Sequence, residues 1–262
     1  MNKTLLALAS TVAIIALPQS ALAQTAAPAA PAPAPSPAEA SPLSFNVGLT
    51  SDYRYRGISQ SRLKPAVQGG IDYAFASGFY VGTWASSIKW IKDFGGDASA
   101  EIDVYGGYKG EITKDLTYDV GVLTYQYPSN KLHPSANTTE IYGALTYGPA
   151  TLKYSHSVTN LFGFADSKNS GYLDLSASFE VVDGIMFMPH LGYQKVAGDA
   201  NSDFSYVDYS ATVGKDFAGF FVSAGVVGAQ TKSINDVKAY ASPANGKDLG
   251  KPGFVVAVKK TF

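Results

Sequence analysis

Cysteine is absent from all 262 residues. Its absence excludes disulfides, thiolate metal sites, cysteine nucleophiles and an N-terminal lipoprotein anchor. Charge is sparse as well: Asp, Glu, Lys and Arg make up 16 % of the chain, against roughly 25 % in soluble proteins. The charges nearly cancel, to a formal −1, which removes the electrostatic case for nucleic acid as a partner. Long apolar runs are missing beyond the N-terminus, and mean hydropathy is +0.01. No later segment approaches the roughly 18 apolar residues of a membrane helix. The three histidines, His133, His156 and His190, stand far apart without metal-ligand spacing. No cofactor or metal is expected.

What is present begins with MNKTLLALASTVAIIALPQSALAQ. A basic Lys3, an apolar core from Leu5 to Leu17 and a small-residue site at Ala21-Leu22-Ala23 make residues 1–23 a secretory signal peptide. Residues 24–42 alternate Pro and Ala. They can neither donate a hydrogen-bond ladder nor build a core, so they read as an extended periplasmic tether, either a spacer or an inert leader.

From Leu43 onward the composition changes, with 17 Tyr, 14 Phe and 26 Gly in the whole chain. Alternation dominates. In SFNVGLTSDYRYRG, Phe45, Val47, Leu49, Tyr53 and Tyr55 share one face, while Asn46, Thr50, Asp52, Arg54 and Arg56 lie between them. Successive side chains of a strand point to opposite sides, so this is a strand with one apolar and one polar face. About twelve such segments follow one another, near 44–55, 66–76, 79–90, 100–109, 116–127, 138–147, 151–159, 171–181, 185–195, 205–215, 219–231 and 253–262. Most are near the length of a tilted transmembrane strand and longer than the ~5–6 residues of soluble strands. Short connections alternate strictly with long polar ones, the longest at 232–252. Up-and-down membrane barrels have this pattern, with short periplasmic turns and longer external loops. The fold class is therefore all-β, a transmembrane antiparallel barrel of about twelve strands over 43–262. An even strand count returns both ends to the periplasmic side. The terminal Phe262 resembles the signal read by the outer-membrane barrel insertion machinery, and Lys260 interrupts its apolar face. A soluble sandwich explains the alternation but not the loop lengths or the terminal aromatic.

Chemistry is thin. Ser155 and Ser157 face away from His156 on a regular strand, so that triplet forms no local nucleophile–base pair; a barrel hydrolase would need His156 or His190 to meet Ser and Asp across strands, and no enzyme is expected. Gly69-Gly70 and Gly106-Gly107 precede no helix or P-loop lysine, and read as close packing within strands. Met186 and Met188 read as packing residues. The functional candidates are charges on the polar faces: Asp52, Arg54, Arg56, Asp72, Glu101, Asp103, Lys109, Asp119, Glu140, Lys153, Asp174 and Glu180. Facing a lumen, they set ion selectivity and solute preference; paired with each other, they fill a narrow barrel. Twelve strands fall between filled eight-strand barrels and open sixteen-strand porins.

The run Asp52-Tyr53-Arg54-Tyr55-Arg56-Gly57-Ile58-Ser59, with Pro65-Ala66-Val67-Gln68-Gly69-Gly70 and Ser77-Gly78-Phe79-Tyr80, resembles the opening motif of the TorF family of porins. The resemblance implies an outer-membrane barrel that passes solutes, with no catalytic residues to carry over. The expectation is an outer-membrane channel for passive diffusion of small polar solutes or ions in a Gram-negative-type bacterium. Its partners are outer-membrane lipid and, during assembly, the insertion machinery. The alternative is a closed structural or surface-binding barrel acting through its long loops.

Overall fold

The computed structural model describes residues 41–262. The expected signal peptide and nearly all of the Pro/Ala stretch lie outside the described residues. Period-2 patterning organises everything after them. The strands are β1 (Leu43–Thr50), β2 (Ala66–Ala74), β3 (Phe79–Ser87), β4 (Ala100–Thr113), β5 (Leu116–Gln126), β6 (Thr138–Tyr147), β7 (Ala150–Ser157), β8 (Gly171–Ala177, resuming as Phe179–Val182), β9 (Ile185–Lys195), β10 (Tyr206–Phe217), β11 (Phe220–Gln230) and β12 (Gly253–Thr261). Each pairs antiparallel with its predecessor, and β1 also pairs with β12, so the twelve-strand sheet closes on itself. Closure leaves no unpaired edge, which a lipid-exposed sheet requires. Phe45 and Phe262 exchange both backbone hydrogen bonds across the seam, at 3.1 and 2.8 Å. No helix of the described residues is long and apolar enough to cross a membrane.

The two walls follow the alternation. Outward residues are apolar and exposed, including Val47, Leu49, Val120, Val122, Leu173, Leu175 and Leu191. Aromatics crowd the short-turn end of that wall: Tyr73, Phe75, Phe79, Tyr147, Phe217 and Phe262 are all exposed there, as an interfacial girdle requires. Lys260 lies in this rim, its ammonium 4.5 Å from the Phe220 ring and 5.2 Å from that of Phe262. Aromatic faces thus take the charge that interrupts the apolar row.

Inward glycines make room for inward tyrosines of the neighbouring strand. A Cβ on Gly121 would lie 2.5 Å from the Tyr142 hydroxyl, and one on Gly107 would lie 2.5 Å from that of Tyr80. Met186 and Met188 are buried inside against Phe221.

Three expectations need correction. β1 stops at Thr50 rather than running to residue 55. Tyr53 and Tyr55, expected on the lipid face, are 1 % and 7 % exposed, and both are buried inside. The alternation of SDYRYRG holds, but both of its faces are covered, because the chain turns into the barrel mouth there. Tyr80, near the start of β3, points inward and is buried. Strand three ends at Ser87 rather than at residue 90, and Trp90–Asp93 forms one helical turn.

Candidate functional site

The site is built from the segment between β1 and β2. Arg54–Tyr55 and Ile58–Ser59 pair as a short hairpin, with Arg56 and Gly57 as its two-residue turn. Both turn residues have positive φ, +46° and +78°, the pattern of a tight I′ hairpin turn, for which glycine at the second position is strongly preferred. Space demands glycine too: a Cβ there would lie 2.6 Å from the Gly228 carbonyl oxygen and 2.7 Å from the Asp208 Cβ. The hairpin tip is therefore pressed against the β10–β11 wall, inside the lumen.

Its charged side chains then reach both ways. The Asp52 carboxylate accepts hydrogen bonds from Arg54 Nε at 2.7 Å, Ser59 at 2.5 Å and Ser61 at 3.1 Å, which ties the segment to itself. Arg54 also donates to the carbonyls of Val227 and Lys251. Arg56 crosses the lumen. It donates to Glu140 of β6 through two nitrogens, at 3.1 and 2.7 Å, and to Gln194 of β9 at 2.6 Å. Its guanidinium carbon lies 4.1 Å from the Tyr172 ring centre and 4.7 Å from that of Tyr55. Tyr53 donates to Glu101 at 2.5 Å, joined there by Tyr127 at 2.9 Å. Tyr55 donates to the Tyr125 hydroxyl at 2.8 Å.

Apolar residues of the other long loops close over this hairpin. Ile88, Ile91, Tyr127 and Ala136 join Tyr53, Tyr55, Leu123 and Tyr125 in one buried cluster. Ile58 packs with Leu249, Tyr206 and Ala229 in a second. Arg62 pairs with Asp93, to which Ser242 also donates at 3.1 Å. Two buried apolar clusters of this barrel thus reach into its long-loop mouth. The 231–252 connection lies over the hairpin; the 51–65 segment fills the lumen.

The twelve predicted lumen residues separate by depth. Asp52, Arg54, Arg56, Glu101, Asp103, Glu140 and Lys153 are all buried in or near the hairpin layer. The Lys153 ammonium lies 3.9 Å from the Tyr142 ring centre. Nearer the short turns the inner wall is half-buried. There Asp119 accepts from Tyr80 at 2.6 Å and lies 3.8 Å from Lys109, and Asp72 accepts from Tyr105 at 2.6 Å. Asp174 meets His190 Nε2 at 2.6 Å. Glu180 lies exposed at the short-turn rim, where it accepts from the Gly184 backbone at 2.8 Å.

Sequence reading missed Asp208, His190, Gln194 and Tyr172. Asp208 accepts from Tyr172 at 3.0 Å and lies 3.5 Å from the other nitrogen of His190. Asp208 was legible as an inward position of its strand, since Tyr206, Asp208 and Ser210 alternate with Val207 and Tyr209. Tyr172 was legible as an inward position, opposite Leu173 and Leu175, but Gln194 and Tyr172 carry no charge to mark them as site residues. Among the described residues no serine hydroxyl bonds His190, although Ser176 and Ser210 are its register partners. His156 points outward beside Tyr154, away from Ser155 and Ser157. Among the described residues no group of His, Cys, Asp and Glu is arranged to hold a metal ion.

Comparison with known proteins places this geometry. A family model described as "Bacterial protein of unknown function (Gcw_chp)" matches residues 33–262. Among solved structures the fold resembles a KdgM porin, at TM-score 0.53 and 9 % identity over 84 % of this chain and 98 % of that one. A second structure, a KdgM porin in complex with disordered oligogalacturonate, matches equally well, with the same TM-score, identity and coverage. A NanC porin matches at TM-score 0.51 and 11 % identity, over 83 % and 98 % of the two chains. Such identities speak to fold alone, and the fold is that of an outer-membrane porin barrel. No curated protein matches the sequence. The TorF name finds no support in these matches; the porin-type barrel it implied does.

Proposed function

The chain belongs to the Gcw_chp family of bacterial proteins of unknown function, and from its fold we propose that it is a channel of the outer membrane. It passes small polar solutes or ions by diffusion, without a cofactor and without catalysis. The observation that carries this reading is the inner wall. Asp72, Glu101, Asp103, Asp119, Glu140, Asp174 and Asp208 line it together with Lys109, Lys153, Lys259 and a set of tyrosine hydroxyls, while the outer wall is apolar. Charges on a lumen wall set ion selectivity and solute preference, and those below the hairpin are only half-buried. The hairpin at 51–65 is the throat of this channel, and the half-buried charges below it form the vestibule. Carboxylates outnumber cations along the wall, which favours cations over polyanions such as the oligogalacturonate of the KdgM complex.

On this reading residues 1–23 direct export and are removed, 24–42 tether the barrel on the periplasmic side, and the terminal aromatic is read during insertion. The burial of Arg54 and Arg56, at 3 % and 2 % exposure, favours a second reading, a barrel that stays shut and acts through its loops. Single-channel conductance of the refolded mature protein in a planar bilayer, under a salt gradient, decides between them. Reproducible current steps with a defined reversal potential are expected. A folded barrel that never conducts would overturn the channel.

A further inference from the structure

We infer that the wall site now filled by Arg56 is a binding site for the guanidinium group of a solute, with the hairpin arginine as its resident occupant. The inference rests on the channel reading and names the solute class of that channel. Three groups of the barrel wall make the site, one each from β6, β8 and β9. Glu140 presents its two carboxylate oxygens to two guanidinium nitrogens, Gln194 adds an amide oxygen, and the Tyr172 ring centre lies 4.1 Å from the guanidinium carbon. A planar cation with forked donors is what such a set selects; an ammonium can lie over the ring but cannot match the fork.

Each wall group is held in place without the hairpin arginine. Gln194 donates its amide nitrogen to the carbonyls of Gly171 and Lys195, at 3.2 and 3.1 Å, which turns its oxygen into the lumen. The Tyr172 hydroxyl is fixed on Asp208, and Glu140 also accepts from Tyr125 at 3.3 Å. The site is thus preorganised on rigid strands and survives displacement of the hairpin. The tethered arginine fits it incompletely, since its buried Nε finds no acceptor. An untethered guanidinium is free of that constraint.

The test uses the full mature chain with Arg56→Ala, in a planar bilayer, with ethylguanidinium and ethylammonium as probes. The variant is expected to conduct more than wild type. Ethylguanidinium should block it at about a tenfold lower concentration than ethylammonium, the equivalent of one charge-assisted hydrogen bond. Adding Glu140→Gln should abolish the difference. Equal block by the two cations, or a preference that survives Glu140→Gln, would overturn the site while the channel stands. If neither wild type nor variant conducts, the channel reading fails, and heat stability of the refolded Arg56→Ala barrel decides the site. Ethylguanidinium then raises the temperature at which the folded band is lost on a gel, and Glu140→Gln removes that shift; absence of a shift overturns it. Should Arg56→Ala not refold, Arg56→Lys, which keeps the charge but not the fork, takes its place in both measurements with the same expected and overturning results.

Discussion

Arg56 and Glu140 lie 84 positions apart and meet inside the barrel in a two-pronged ion pair, with Nη2 2.7 Å from Oε2. One belongs to a hairpin that hangs from the barrel mouth, the other to the wall. The pair therefore joins a separable element to a rigid one, and its rupture leaves the strand ladder intact.

Removing both throat arginines changes the charge of the lumen. Arg54→Ala with Arg56→Ala takes two positive charges from the hairpin inside the lumen and leaves Asp52 and Glu140 without their arginine partners. Reversal potential in a salt gradient should move toward the cation limit, and the barrel should still migrate as a folded species before boiling. A reversal potential equal to that of wild type would separate selectivity from these residues.

Two glycines that look alike in the sequence should differ in stability. Gly121 faces inward, where a Cβ would lie 2.5 Å from the Tyr142 hydroxyl and 2.6 Å from the Gly106 carbonyl oxygen. Gly143 faces outward, and its nearest neighbour, a Val120 methyl, is 4.0 Å away. Gly121→Ala is expected to cost roughly 1–3 kcal/mol, as overpacking does. Gly143→Ala should stay within about 0.5 kcal/mol of wild type. Urea midpoints of the two refolded variants in detergent check this, and equal midpoints would refute it.

Charge on the outer wall should be penalised by depth. Val122 sits midway along β5, between Gly106 and Ile141 on the lipid face. Leu43 opens β1 at the short-turn end. Val122→Arg is expected to cost ~2–4 kcal/mol and Leu43→Arg ~0–1 kcal/mol in lipid. Unfolding in phospholipid vesicles measures both; similar costs would mean that the apolar band does not lie where the exposed side chains put it.

Strand number, strand direction and the identity of the two faces were legible in the sequence, for a physical reason. In a barrel strand one face meets lipid and the other a polar lumen, so the period of 2 is written into nearly every segment, as in Ile102, Val104 and Tyr108 against Glu101, Asp103 and Tyr105. Loop lengths added the order of the connections, because antiparallel neighbours need only a tight turn at one end.

The throat was not legible. Period 2 reports that successive side chains diverge, and says nothing about what each face meets. SDYRYRG alternates as a transmembrane strand does, yet Tyr53 and Tyr55 pack under the long loops and Arg54 and Arg56 are tied to carbonyls and carboxylates far along the chain. Only closure of the sheet brings Glu140, Gln194 and Tyr172 round to face residue 56. Their partnership depends on barrel circumference and strand stagger, quantities set by all twelve strands together. The sequence by itself determined a closed barrel with one apolar and one charged wall; the tertiary structure decided that its mouth is filled from within, because contacts across a lumen are made between residues that share no local pattern.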